Sequence, residues 1–148
     1  MKRILFLLTA LSASTPLLAA DGATLYKRCA ACHLPTGAGV PGAYPALSND
    51  FLTLAKKPAG RRYLALVVIK GVSGPITVGG KPFRGVMPAQ MLNDADTAAV
   101  LNHVGTVVAK GGKGFKAFTE AEVKAARASG AALSAAQIGA LHAASGGK

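Results

Sequence analysis

The chain has 148 residues, room for one domain of ordinary size but not for two independent cores. Apolar residues make up 51%, which excludes a disordered chain, and 30 alanines with only 5% aromatics favour helices over a sheet. Seventeen Lys and Arg stand against six Asp and Glu, a net +11, and the sparse acids contain no pair that reads as a catalytic dyad.

Residues 1–20 (MKRILFLLTALSASTPLLAA) begin with Lys2 and Arg3, continue through the apolar run Ile4–Leu11 and end in Ala19-Ala20 before Asp21. That is the layout of a cleaved secretory signal. Ser12, Ser14, Thr15 and Pro16 interrupt the run, which falls short of the roughly 20 apolar residues a membrane span needs. Cleavage near Ala20 predicts an exported mature chain in a periplasm or its equivalent. Loss of Lys2 and Arg3 lowers the charge by two, to +9. So basic a surface favours an acidic protein partner or an anionic membrane face. Export and the lack of clustered aromatics argue against nucleic acid.

Asp21 caps a helix expected to reach about Arg28, and at its end stands Cys29-Ala30-Ala31-Cys32-His33. The spacing C-x-x-C-H is the signature of c-type haem attachment. Each thiol adds to one haem vinyl group, and His33 is then placed to offer Nε2 to the iron. A thioredoxin-like site needs a βαβ setting, and these flanks read as helix. Structural zinc needs four ligands, and His103 and His142 are isolated. A plain disulfide would leave His33 unexplained.

Leu34–Phe51 is rich in Gly and Pro and is expected to be irregular, wrapping the His side of the ring. A ligating His donates its other ring N–H to a fixed acceptor, and Pro45 or a neighbouring carbonyl in Tyr44–Leu47 is the candidate. Arg61–Lys70 reads as a helix with Gly71 as its cap. Ile76–Val78 and Lys81–Phe83 flank Gly79-Gly80, the signal of a small hairpin.

An electron-carrying haem calls for a second axial ligand. Met87, in the loop-like Gly85-Val86-Met87-Pro88, lies 54 residues past His33 and is the candidate; Met91 is the reserve. Asn93 caps a helix over Asp94–Ala109, whose Ala98, Leu101, Val104 and Val108 form one stripe facing the first helix. Beyond residue 110, Thr119–Glu122 and Ser134–Gln137 match capping boxes, predicting short helices near 119–128 and 134–143. The first is expected to dock on the body; the second is left open between docking and disorder.

Together these features resemble a class I c-type cytochrome over Asp21 to about Lys110. The stretches GVPGAYPAL, GVSGPITVGGKPFRGVMPA and FTEAEVKAARA are similar to single-haem domains in cytochrome subunits of periplasmic quinoprotein dehydrogenases, and to haem domains of some terminal reductases and oxidases. The resemblance implies an all-α, small cytochrome c fold around one covalent haem c. It implies His33 and Met87 as axial ligands and Pro45 as the His-orienting carbonyl. Tyr26 stands one position closer to Cys29 than the family's aromatic, and His103 replaces a common Tyr on the last helix, where it reads as a packing residue.

The resulting organisation is a signal over 1–20, a cytochrome c domain over 21–110 and a helical extension over 111–148. The expected function is one-electron transfer between redox proteins, without enzymatic activity, either as a shuttle or as a subunit of a dehydrogenase complex. Arg61, Arg62, Lys81 and Arg84 are candidate docking or propionate-binding residues. The alternative is a haem enzyme or small-ligand sensor with a displaceable Met, and no distal His or Arg motif supports it.

Overall fold

A computed structural model describes residues 20–148; the expected export signal lies outside the described residues, apart from its last position. The elements in chain order are α1 (Gly22–His33), α2 (Ser48–Ala55), α3 (Pro58–Lys70), the strands β1 (Val72–Val78) and β2 (Lys81–Met87), α4 (Asp94–His103), α5 (Glu120–Ser129) and α6 (Ala135–Ala144). Among the described residues helices dominate, with one antiparallel hairpin, in keeping with the small helical fold expected from the sequence.

The caps follow the sequence closely. The Asp21 carboxylate accepts from Thr24 N at 3.0 Å, Asn93 Oδ1 accepts from Asp96 N at 2.7 Å, and Ser134 and Gln137 close a reciprocal capping box. α1 runs past Arg28 and carries the whole C-x-x-C-H motif in its last five residues.

Three expectations need correction. Residues 48–51, expected as loop, open α2, which exists because Phe51, Leu54 and Ala55 bury one face against α3 while Asp50 complements the helix N-terminus. The hairpin is longer than expected: seven residues pair on each side, from Val72 opposite Met87 to Val78 opposite Lys81. Pro75 and Pro82 are tolerated because a two-stranded ribbon has only edges, and Gly79 and Gly80 both take positive φ, which suits a primed two-residue turn. The helix expected to reach Ala109 is α-helical only to His103. Val104–Val108 continues it as a π-helical turn, closed by Ala109 N bonding to the Val104 carbonyl at 2.7 Å.

α1 and α4 cross closely. Tyr26 packs on His103 with ring centroids 5.2 Å apart, the packing role expected of that histidine. A Cβ on Gly22 would fall inside the van der Waals contact distance of the Ala99 carbonyl oxygen and crowd the His103 Cβ. Neither neighbour can move freely, so Gly22→Ala is expected to destabilise the fold by about 2–3 kcal/mol, read as a lowered thermal midpoint.

The segment beyond 110 shares the same core. Both of its helices are formed, and Val123 and Ile138 are completely buried in one apolar cluster with Leu66 and Val100. Asn102 fastens the approach to α5 at two points: Oδ1 accepts from Phe118 N at 2.6 Å, and Nδ2 donates to the Phe118 carbonyl at 3.0 Å. Arg127 Nε donates to Asp94 Oδ1 at 2.6 Å and its Nη2 donates to the Leu92 carbonyl at 2.8 Å.

Candidate haem site

A cavity of about 350 Å³ lies between the end of α1, the loop to α2, α3, the hairpin and α4. Cys29, Cys32, His33, Pro45 and Met87 all line it, so the structure gathers residues up to 58 positions apart in sequence around one space. Its volume falls among those of cofactor sites, roughly 300–1,000 Å³. Leu64, Val67, Val68, Leu101 and Phe83 make most of the remaining wall apolar.

His33 is 8% exposed, and its Nδ1 lies 2.8 Å from the Pro45 carbonyl oxygen. That bond defines the tautomer: Nδ1–H donates, and Nε2 keeps its lone pair for a metal. Burial pushes the imidazole below its usual pKa range, with the Pro45 carbonyl opposing, so the ring stays neutral and basic at Nε2.

The loop that delivers Pro45 is held from within. Gly39 N donates to the His33 carbonyl at 3.0 Å, and Val40 and Tyr44 exchange backbone bonds at 2.8 Å each. Gly39 has φ +66°, and a Cβ there would collide with the Tyr44 and Pro45 carbonyls. Glycine therefore lets the returning chain pass close enough to aim Pro45 at the imidazole.

Met87 ends β2 opposite Val72 rather than sitting in a free loop, so the ribbon fixes its position. Past Pro88, Gln90 N donates to the Val68 carbonyl at 2.9 Å and Arg28 Nη1 donates to the Gln90 carbonyl at 2.9 Å, pinning the following turn to α3 and α1. Met91 is 89% exposed and does not line the cavity.

Both cysteines are partly buried and free of disulfide. Burial raises the Cys29 thiol pKa, with the Arg28 charge opposing. Among the described residues no group of three or more His, Cys, Asp or Glu is placed to hold a bare metal ion. Two thiols on one helical turn, an imidazole with its second nitrogen engaged and a thioether on the same apolar cavity fit a covalently bound haem.

The candidate cations separate. Lys81 and Arg84 are exposed on β2. Arg61 is 6% exposed and does not face the cavity: it pairs with Glu122 at 2.5 Å and donates to the carbonyls of Ala55, Lys116 and Ala117. Its guanidinium also lies 3.9 Å from the Phe118 ring centroid. Arg62 donates to Ser129 Oγ at 2.8 Å. Arg61 thus joins α3 to α5 and is no docking residue.

Sequence reasoning missed Asp50, Tyr63 and His142, which also line the cavity. They come from α2, α3 and α6, and no local spacing connects them.

Residues 19–108 match the family described as Cytochrome c. The chain is 47% identical over 112 residues to a protein named Cytochrome c-552 from Thermus thermophilus, covering 74% of this chain and 86% of that one. A second Cytochrome c-552, from a named strain of that species, gives the same identity over 76% of its length. With the haem motif at the mouth of a fitting cavity, these matches show that the chain belongs to the cytochrome c family, an electron-transfer protein carrying one covalent haem c.

Proposed function

We propose that the protein is an exported, periplasmic one-electron carrier whose haem is joined to Cys29 and Cys32 and held axially by His33 Nε2 and Met87 Sδ. The bound haem supplies the one-electron couple. The observation that carries this reading is a pair of donors on one cavity: His33, oriented by Pro45, and Met87, at the end of the hairpin, both line the same largely apolar space. Pre-positioned ligands keep rearrangement small when the oxidation state changes, which suits a carrier better than a ligand-binding enzyme. No helix among the described residues is long and apolar enough to cross a membrane.

Electrons would pass where the wall is thin. Ala43, Tyr44, Gly85 and Val86 line the cavity and are exposed, Val86 by 74%. Lys81 and Arg84 are exposed on the same ribbon as Gly85 and Val86, and the chain's net positive charge suits an acidic redox partner, which would form a small, transient complex. Service as the cytochrome subunit of a quinoprotein dehydrogenase is one form this role takes.

The test is electron transfer with an acidic redox protein at rising ionic strength. The bimolecular rate is expected to fall by at least tenfold between about 10 mM and 0.5 M salt, because screening removes the steering between opposite charges. A rate that does not change with salt refutes an acidic docking partner.

A further inference from the structure

His142 is the one histidine that neither the haem motif nor the packing of α1 on α4 uses. It lies on α6, 5% exposed, and its Nε2 is hydrogen-bonded to Asp50 Oδ2 on α2, itself 7% exposed. Asp50 Oδ1 accepts from the backbone N of Lys148 at 3.1 Å. Tyr63 presents its ring edge-on to the imidazole at 5.3 Å between centroids. Asp50, Tyr63 and His142 all line the haem cavity.

His142 has a second outlook. It also lines a separate cleft of about 260 Å³ between β1, α6 and the last residues of the chain. Pro75, Thr77, Ala140 and Lys148 line that cleft and are exposed, so it opens to solvent. The imidazole therefore stands as a partition between the haem cavity and water.

The geometry points to His142, backed by Asp50, as a proton site coupled to the haem: His142 takes up a proton from solvent when the haem gains an electron and releases it when the electron leaves. The proposal rests on the haem occupying the cavity lined by Cys29 and Cys32. Nε2–H stays with Asp50 Oδ2, and Nδ1 accepts the incoming proton. The redox partner supplies the electron, the iron is reduced by one unit, and one proton crosses from water to Nδ1. The net charge of the haem region is thereby unchanged, which is the source of the coupling: the positive charge lost at the metal is restored in the wall.

The groups around the imidazole support this assignment. Asp50 is the anion that stabilises a cationic ring. Tyr63 is kept protonated because burial, with the Asp50 charge second, drives its phenol far above the usual range. β1 and α6 bring no other titratable side chain, and Arg28 lines the cavity from α1. Lys57, just before α3, approaches Gly146, and Lys148 ends the segment. Among these groups His142 is the one imidazole.

The coupling is reciprocal, so the proton affinity of His142 and the midpoint potential move together. In a low-dielectric wall the reduced protein should bind the proton on the order of tenfold more tightly than the oxidised one. The experiment is redox titration of the holoprotein from about pH 5 to 8, with NMR of the His142 ring in both oxidation states. The wild-type potential is expected to fall as pH rises, the ring to titrate at higher pH in the reduced form, and His142→Gln to remove the slope. A flat wild-type profile, a ring that titrates identically in both states, or a slope that survives His142→Gln and so belongs to a haem carboxylate would each overturn it. The NMR measurement needs no variant, so a misfolded His142→Gln leaves the test intact. Haem attachment is read separately, by intact mass and Soret absorption.

Discussion

Met87→Ala is expected to abolish the far-red sulfur-to-iron absorption of the oxidised holoprotein and to lower its midpoint potential, while Met91→Ala changes neither. Met/His ligation holds the potential high because a thioether favours the reduced metal. The two methionines are only four positions apart, yet Met87 ends a strand that is paired along its full length, whereas Met91 is 89% exposed at φ +53°. Shifting Met91 into the cavity would require release of the Gln90–Val68 and Arg28–Gln90 bonds. The same experiment addresses the enzyme or sensor reading. Wild-type protein should bind carbon monoxide slowly and weakly, and Met87→Ala should bind it readily, because the vacated side of the metal becomes accessible. A far-red band and a potential that both persist in Met87→Ala would remove Met87 as the ligand.

Arg61→Met should be a strongly damaging change away from the haem, costing about 3 kcal/mol and lowering the thermal midpoint by roughly 10 °C. Methionine preserves the apolar length of the side chain but supplies none of its donors. The Ala55, Lys116 and Ala117 carbonyls lose their guanidinium partner, and Phe118 loses the cation against its ring. Arg62→Met, which releases only Ser129, should cost well under half as much. Acid sharpens the comparison. The hydrogen bond from Arg61 holds the Glu122 carboxyl below the usual carboxylate range. A carboxyl depressed in the folded state stabilises the fold above its unfolded pKa, and that stability disappears as pH falls through the lower folded value. Wild type should therefore lose this contribution in acid, and Arg61→Met should lose less, keeping only the smaller part that Thr119 and Lys116 supply. Equal thermal midpoints for Arg61→Met and wild type would show that the guanidinium is dispensable.

What the sequence revealed about the site was what is local in the chain. C-x-x-C-H is a five-residue chemical instruction, and Asn93 and Ser134 announce their helices within one turn. α2 was hidden because eight residues following a Gly- and Pro-rich stretch carry too short a period to read, and only burial of Phe51 and Leu54 against α3 stabilises them. Arg61 looked like a surface cation because arginine is usually exposed. Its burial depends on carbonyls and a carboxylate 55 to 61 positions away. The meeting of Asp50 with His142 spans 92 positions and leaves no pattern in either neighbourhood. The π-helical turn at Val104–Val108 likewise has no signal in a stripe that continues apolar through Val108.

The side of the chamber that α6 closes is fastened by a contact 92 positions long, between His142 and Asp50. Contacts spanning this much sequence form slowly, so the rest of the chamber around Cys29 and Cys32 is expected to assemble before this side is shut.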